Sequence, residues 1–375
     1  MRVEDNEQEI RIIPHNPIYK GPYLTRVLTR GENSWIIAMP EDGKRFVPLP
    51  ISTIIDIEFL QGSDRKFTTE VLDRNFRGLR TLTIAKPGAI SRGKGEKQTG
   101  VRVIAFSSGK GGVGKSTVII NVALGLQLLG KKCCLIDADL GTADIDTLLN
   151  LEAPYNLNHI LKGEKDIEDI LVKGPEGVLL VPGGSGLQNL ANLKEWQFSR
   201  LIAAFNNLNN MADFLLLDTG AGVSRNVTNF LMAADEIVLV ASPEPHVIMD
   251  VYALIKVLAF FKIKSRLKLV VNKTEKPDEA HLIWTAINSA SRQFLDVHVE
   301  FLGHIPSSKA VLRSIKKQEP FILKYPRHEA ARNFLKIAEL LAGEESLKKE
   351  TQPASFLLRL KENIFRSFSL NEHLR

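Results

Sequence analysis

The sequence predicts an α/β fold with a mainly parallel, doubly wound sheet, flanked by a small N-terminal all-β domain and a C-terminal amphipathic helix. Between residues 101 and 342, short apolar strands alternate with helical patterns, and a glycine-rich loop joins the first strand to the first helix. Such alternation is typical of a parallel sheet covered by helices on both faces. The β-rich residues 1–90 and the apolar stripe after residue 355 predict the flanking elements.

The N-terminal segment, residues 1–90, contains short stretches rich in branched and aromatic residues, with turn signals between them. The predicted strands are Tyr23–Thr29, Ser34–Met39, Ser52–Phe59 and Lys66–Leu72. Their length and spacing predict a small barrel or a sandwich. The segment has no cluster of histidines, cysteines or paired carboxylates, which favours a non-catalytic binding module. A basic linker, residues 91–100, follows.

Residues 101–342 alternate between strand and helix throughout. The predicted strands are Val101–Phe106, Cys133–Ile136, Val178–Val181, Phe214–Leu217, Ile237–Val240, Leu267–Val271 and Glu300–Leu302. The predicted helices include Ser116–Leu129, Trp196–Leu208, Val247–Phe260, Ala280–Phe294 and Glu329–Leu341. In a sheet of this kind, ligands bind outside the carboxyl ends of the strands.

The glycine-rich loop fits the phosphate-loop pattern G-x-x-x-x-G-K-[ST]. Glycines let successive N–H groups point at a phosphate, and the positive end of the following helix favours the anion. Lys115 is expected to reach the β- and γ-phosphates, and the Ser116 hydroxyl to hold Mg²⁺. A plain glycine turn with a solvated lysine is the alternative, and the strand and helix flanks argue against it. The predicted nucleotide-binding residues here are Gly109, Gly111, Gly112, Val113, Gly114, Lys115, Ser116 and Thr117.

Carboxylates follow two of the predicted strands. Asp137 and Asp139 come after the second strand, and Asp218 ends the fourth strand, just before Gly220 and Gly222. Acids at the carboxyl ends of strands beside a phosphate loop are placed to organise Mg²⁺ and water. The alternative is that these aspartates cap helices.

A second lysine, Lys110, lies within the loop, in Lys-Gly-Gly-Val-Gly-Lys-Ser-Thr. This sequence resembles the deviant Walker A loop of the MinD/ParA/nitrogenase-iron-protein class of ATPases. The resemblance implies ATP hydrolysis by a homodimer that closes face to face around ATP, with Lys110 reaching the partner's nucleotide. It also implies that Asp139 orients the attacking water. The catalytic residues are then Lys110, Lys115 and Asp139.

The motifs and the resemblance also indicate the residues that contact Mg²⁺ and the adenine base. Ser116, Asp137 and Asp218 are expected to hold Mg²⁺, and an amide of Gly220 or Gly222 to sense the γ-phosphate. Asn272 ends a later strand, and an asparagine side chain offers the donor and acceptor that suit the adenine edge. The resemblance supports Asn272 as the adenine contact and Pro306 as part of a wall beside the base. An asparagine in a turn is the alternative for Asn272.

Longer segments resemble the FlhG (YlxH) branch of this class, which sets flagellar number and placement; they are Asp137–Asp144, Leu217–Ser224 and Ser242–Lys256. The N-terminal segment is similar to the domain that precedes PilZ in YcgR-like flagellar brake proteins. The residues that carry this likeness are Tyr23, Arg26, Val27, Met39–Pro40, Phe46–Pro50, Glu70–Leu72 and Lys86–Pro87. The resemblance implies flagellar assembly proteins as partners, among them the GTPase FlhF. The Asp-Gln-Ala motif by which FlhG proteins stimulate FlhF is not found before Val101, and no cyclic di-GMP motif is evident.

A polar linker, residues 343–354, precedes an amphipathic helix predicted for residues 355–372. Because MinD and FlhG end in membrane-targeting helices, the resemblance implies that the ATP-bound dimer resides on anionic lipid at the inner face of the cytoplasmic membrane. The alternative is that the helix folds back onto the ATPase core. The predicted membrane-contacting residues are Phe356, Leu357, Leu360, Ile364, Phe365 and Phe368.

Composition and motifs also bear on other partners, cofactors and locations. The net charge of +6 does not demand nucleic acid, and nucleic acid is not expected as a partner. The only cysteines, Cys133 and Cys134, are strand neighbours that face opposite ways, so a disulfide or an iron-sulfur site is not expected. The polar N-terminus and the lack of a long apolar run predict a cytoplasmic protein. The resemblance implies that it is peripheral on the membrane when ATP-bound. A ParA-like positioning ATPase acting on cargo or DNA, and a MinD-like regulator of the division site, stay as alternatives.

Overall fold

A computed structural model describes residues 8–14, 19, 21–31, 34–43, 45–47, 49, 53–60, 66–75, 79–85, 101–139, 145–184, 193–208, 211–343 and 356–364. The chain divides into two compact units, Met1–Lys97 and Gln98–Arg375. The predicted linker at residues 91–100 lies outside the described residues, as do residues 344–355.

The first unit is an all-β domain, as predicted. Its described strands are β1 (Gln8–Pro14), β2 (Tyr23–Arg30), β3 (Ser34–Ala38), β4 (Glu41–Asp42), β5 (Arg45–Phe46), β6 (Ile54–Phe59), β7 (Lys66–Asn75) and β8 (Thr81–Ala85). A closed barrel forms in the order β1-β2-β3-β8-β7-β6, with β4 and β5 paired separately. The barrel is therefore the arrangement adopted, with alternating residues such as Ile10, Ile12, Ile55 and Ile57 buried inside it.

The second unit is built on a mainly parallel sheet, which confirms the predicted fold class. Its described strands are β9 (Arg102–Ser107), β10 (Cys133–Ala138), β11 (Val172–Lys173), β12 (Leu179–Val181), β13 (Phe214–Thr219), β14 (Glu236–Ala241), β15 (Arg266–Thr274) and β16 (Val299–Pro306). Their order is β11-β12-β10-β13-β9-β14-β15-β16, and β11 alone among them runs antiparallel to its neighbour.

Helices cover both faces of this sheet. They are α1 (Lys115–Leu128), α2 (Ile145–Leu148), α3 (Leu157–Lys162), α4 (Ile167–Ile170), α5 (Glu195–Asn207), α6 (Arg225–Ala233), α7 (Pro245–Phe260), α8 (Pro277–Leu295), α9 (Lys309–Lys316), α10 (Phe321–Lys324), α11 (Glu329–Gly343) and α12 (residues 356–364). Helices α1 and α11 pack together on one face, while α5, α7 and α8 bury side chains in the core of the other.

The two cysteines show how the strands divide the core. Cys133 belongs to the hydrophobic cluster on one face of β10, and Cys134 to the cluster on the opposite face. Burial raises the pKa of both thiols, that of Cys134 to about 12. Because iron-sulfur clusters bind thiolates, this pair of buried thiols does not suit a cluster.

Helix α12 folds back onto the second unit. Its apolar residues Phe356, Leu357, Leu360 and Ile364 are at most 3% exposed, and the ring of Phe356 stacks on Phe230 of α6 at 6.4 Å. In this conformation these four residues are not presented to a membrane, which is the alternative arrangement set out above. The other two predicted membrane residues, Phe365 and Phe368, lie outside the described residues.

Polar contacts also hold α12 in place. Arg359 Nε donates to the Ala233 carbonyl at 2.7 Å, and Arg359 Nη2 donates to Asp235 at 2.8 Å. The Lys361 ammonium lies over the ring of Phe198 in α5 at 5.7 Å. Among the residues that the structure describes, no helix has the length and apolar composition needed to cross a membrane.

Candidate nucleotide-binding site

The phosphate loop lies at the carboxyl edge of the sheet, between β9 and α1. Helix α1 has no acidic residue in its first turn and no side-chain cap at Gly114. No carboxylate of its own therefore offsets the positive end of this helix, which favours a bound anion. Gly114 has a φ of 94°, and a Cβ there would collide with the side chain of Asn272, so glycine is required.

Two side chains at the end of β15 hold the phosphate loop in shape. Asn272 Nδ2 donates to the Val113 carbonyl at 2.8 Å, and Lys273 Nζ donates to the Gly112 carbonyl at 2.7 Å. Lys273 has a φ of 60°, a left-handed conformation that few side-chain-bearing residues adopt. Asn272 is a predicted site residue, whereas Lys273 was not predicted, since its only signal is its position directly after Asn272 at a strand end.

The predicted lysine, hydroxyl and carboxylates come together at the base of the loop. Lys115 Nζ forms an ion pair with Asp218 and lies 3.9 Å from Asp139 Oδ2. The Ser116 hydroxyl is also hydrogen-bonded to Asp218. Asp137 and Asp218 occupy paired positions on the parallel strands β10 and β13.

Burial shapes the charge of this cluster. Burial, and then the charge of Asp218, raises the pKa of Asp137 to about 7. Burial also raises the pKa of Asp218, although the Lys115 charge opposes it. The cluster thus concentrates carboxylates that have lost water, an arrangement that a bound cation would stabilise.

These groups fit Mg²⁺. Carboxylate and hydroxyl oxygens are ligands that Mg²⁺ prefers, and it is commonly held by one or two carboxylates together with substrate phosphates. Ser116, Asp137 and Asp218 supply such oxygens beside the phosphate loop. The described residues hold no fuller metal-binding group of histidines, cysteines and acids. A bound Mg²⁺ would neutralise charge on the transferred phosphoryl group.

The end of β13 is tied to β9, and the segment after β13 is tied to the phosphate loop. Thr219 Oγ1 donates to the Phe106 carbonyl at 2.9 Å, and the Gly222 amide donates to the Ser108 carbonyl at 2.8 Å. The Gly222 amide is therefore engaged in this conformation. A Cβ on Gly220 would lie 3.6 Å from Asp139 Oδ1, so Gly220 adjoins the predicted catalytic carboxylate.

The remaining predicted residues lie around the rim of the site. Lys110 is exposed, with Gly111 and Gly112 beside it, and its carbonyl accepts a hydrogen bond from the Ser108 hydroxyl at 2.8 Å. Pro306 ends β16 opposite Thr274, which brings it to the same strand edge as Asn272.

Both parts of the chain are similar to known proteins. Residues 100–342 match the ParA family model, described as NUBPL iron-transfer P-loop NTPase. Residues 7–87 match the PilZNR model, described as flagellar protein YcgR. The chain is 38% identical over 239 residues to the antiactivator FleN of Pseudomonas aeruginosa, which covers 64% of this chain and 85% of FleN. It is 30% identical over 263 residues to the flagellum site-determining protein YlxH of Helicobacter pylori, covering 70% and 87% respectively.

Solved structures share the fold of the second unit. The MinC:MinD cell division protein complex of Aquifex aeolicus matches with a TM-score of 0.53 and 27% identity, covering 65% of this chain and 96% of that one. MinD of Pyrococcus horikoshii complexed with Mg-ADP matches with a TM-score of 0.53 and 24% identity, covering 67% and 100%. At 24% identity the second match shows the fold alone.

Proposed function

The chain belongs to the ParA family of P-loop NTPases and is an ATPase, and on this premise we propose that it regulates flagellar number or placement. Two relatives of the ATPase unit carry flagellar names, and the barrel matches a flagellar protein model independently. That agreement between two separate parts of the chain carries the flagellar proposal. The protein would alternate between a monomer and a membrane-bound homodimer. ATP binding would close the homodimer on the membrane, and ATP hydrolysis would reopen it.

Adenine is the base that suits Asn272. One N–H of its amide already donates to the Val113 carbonyl, which leaves a second N–H and Oδ1. Adenine offers an acceptor at N7 beside a donor at N6, whereas guanine offers acceptors at both N7 and O6. An amide can therefore pair with both atoms of adenine and with only one of guanine.

We expect the Asn272→Ala variant to lose base preference. Calorimetry would measure the dissociation constants for ATP and GTP, and their ratio should move towards unity by about tenfold. The reason is that a bidentate amide discriminates between the right and the wrong base by about 1–3 kcal/mol. The variant also loses the tether to Val113, so Lys273→Met is the matched control. That control breaks the tether to Gly112 without facing the base and should weaken both nucleotides by one common factor. Equal losses of ATP and GTP affinity in Asn272→Ala would contradict base reading.

The proposed transfer of α12 to the membrane depends on the free energy of moving its buried apolar side chains. Moving each of its four buried apolar side chains into water would cost about 1.5–3 kcal/mol. The helix should therefore not leave its packing surface on the second unit for solvent. A bilayer interface offers a second apolar environment, and two helices on one dimer bind with higher avidity. ATP-dependent dimerisation is thus proposed to favour transfer of α12 from its packing surface on the second unit to lipid.

Liposome co-sedimentation tests this step. The full chain should sediment with anionic vesicles in ATP and stay in solution in ADP, and truncation after residue 354 should abolish sedimentation. Arg359→Ala removes the hydrogen bonds to Ala233 and Asp235, so it should increase sedimentation in ADP by about five- to tenfold. Truncated protein that sediments like the full chain, with its ATPase activity intact, would remove α12 from the proposal.

A further inference from the structure

The net positive charge of the chain is concentrated in one short segment. Residues 309–336 hold eight of the 49 lysines and arginines but only two of the 43 aspartates and glutamates. The rest of the chain therefore has equal numbers of both, and this segment accounts for the whole net charge of +6. Its eight cationic residues are all exposed, and they are Lys309, Arg313, Lys316, Lys317, Lys324, Arg327, Arg332 and Lys336. A surface with charge concentrated in this way attracts anionic partners.

Helix α9 presents three of these cations on one face. Lys309, Arg313 and Lys316 occupy positions i, i+4 and i+7, which lie on the same side of an α-helix. Leu312, at i+3, lies between them and is 57% exposed. The opposite side of α9 packs against the hydrophobic core through Val311. We call Lys309, Leu312, Arg313 and Lys316 the α9 stripe.

The cations of the α9 stripe are not neutralised within the described part of the chain. There, Lys309, Arg313 and Lys316 form no ion pair and no side-chain hydrogen bond. Glu319, the nearest acid along the chain, is half-buried and pairs with Lys324 at 3.2 Å. The charge of the stripe is therefore directed towards a partner.

Hydrogen bonds hold α9 in a fixed position. The Ala310 amide donates to Ser308 Oγ at 3.1 Å, and the same hydroxyl lies 3.2 Å from His328 Nε2, just before α11. At the other end of α9, the buried Ser314 hydroxyl donates to the Glu319 carbonyl. A helix that is already ordered loses little conformational entropy on binding, so the stripe is preorganised for a partner.

Leu312 distinguishes between the possible anionic partners. Phosphate contacts of nucleic acid need cations alone, so a leucine among them would gain nothing. A lipid surface binds an amphipathic helix through its apolar side, whereas the apolar side of α9 is turned to the core. An acidic protein segment can instead cover Leu312 with an apolar side chain while its carboxylates reach the surrounding cations.

We propose that the α9 stripe binds an acidic amphipathic segment of a partner protein. A helical segment fits best, because its carboxylates and apolar side chains can repeat at the same spacing as the stripe. This contact depends neither on the ATP-bound dimer nor on α12. A second copy of the chain is the competing occupant, since α9 begins three residues after Pro306, near the carboxyl edge where the proposed dimer closes.

The test is fluorescence anisotropy of the full chain in ADP. The probe is a labelled helical peptide of about 20 residues, with glutamate and leucine repeated at the spacing of the stripe. Wild type should bind this peptide, and added salt should weaken the binding. R313E/K316E should bind about tenfold more weakly because the reversed charges repel the carboxylates. Leu312→Ser should also lose about tenfold, since it removes the apolar contact.

K162E/K173E is the matched control. It changes the net charge by the same amount, both lysines are exposed, and Lys173 lies in β11, at the opposite edge of the sheet from β16. This control should bind the peptide as wild type does. All variants should bind ADP with wild-type affinity, which shows that they are folded.

Three results would overturn the proposal. The first is a wild type that does not bind the peptide, or an R313E/K316E variant that binds it equally well. The second is full peptide binding by Leu312→Ser while R313E/K316E loses both the peptide and a short DNA duplex, which would make nucleic acid the occupant. The third is loss of the ATP-dependent dimer by R313E/K316E in analytical ultracentrifugation, which would assign the stripe to a second copy. Vesicle binding enters none of these measurements, so the membrane part of the proposed function is tested separately.

Discussion

Replacing Asp139 by alanine is expected to lower kcat for ATP by about 10²–10⁴-fold while nucleotide affinity changes little. Asp139 is half-buried, 3.9 Å from Lys115 Nζ, and next to Gly220. From this position its carboxylate could orient a water that attacks the γ-phosphate. Lys115 keeps its ion pair with Asp218 in the variant, so phosphate binding should persist. Single-turnover hydrolysis and a fluorescent-nucleotide titration would measure the two quantities separately.

The comparison variant is Asp146→Ala. Asp146 lies in the first turn of α2, where its carboxylate accepts a hydrogen bond from the Thr147 amide. Among the described residues, it forms no hydrogen bond with the phosphate loop. Turnover by this control should match wild type. Because hydrolysis ends the proposed cycle, Asp139→Ala should also accumulate as the ATP-bound dimer in size-exclusion chromatography. Wild-type turnover by Asp139→Ala would reject the assigned role.

Much of the nucleotide site could be predicted because its parts are local in sequence. The loop lies between a strand and a helix that are contiguous with it, and Asp137 and Asp218 lie one residue before the ends of the apolar strands β10 and β13. Parallel pairing then brings the ends of β10 and β13 to one edge, where Asp137 is paired with Asp218. A pattern of residues and the topology rule together were sufficient to place these groups near each other.

Contacts between distant segments could not be predicted in this way. The Lys273–Gly112 tether joins positions 161 residues apart, and nothing in a Val-Val-Asn-Lys strand end indicates it. Strand β1 escaped prediction because Gln8–Pro14 mixes charged residues with a terminal proline, and only its pairing with both β2 and β6 closes the barrel. The apolar stripe of α12 predicts an apolar surface but does not identify it as core or lipid.

The second large effect is expected for Lys110→Ala. Lys110 is exposed on the loop, so its replacement should leave folding and monomeric nucleotide binding almost unchanged. If Lys110 reaches the partner's phosphates, its loss leaves buried anionic charge without a partner, and the ATP-dependent dimer should weaken by about a hundredfold. Analytical ultracentrifugation in ATP and in ADP would measure the change.

The control for this variant is Lys276→Ala. Lys276 is also exposed and also lies at the carboxyl edge of the sheet, just before α8, so it matches the charge removed and its approximate location. General electrostatic attraction between subunits would make the two variants behave alike. A lysine that contacts the partner's nucleotide would instead make Lys110→Ala monomeric in ATP while Lys276→Ala dimerises normally. An ATP-dependent dimer of Lys110→Ala with wild-type affinity would exclude that contact and, with it, the reason for the second lysine in the loop.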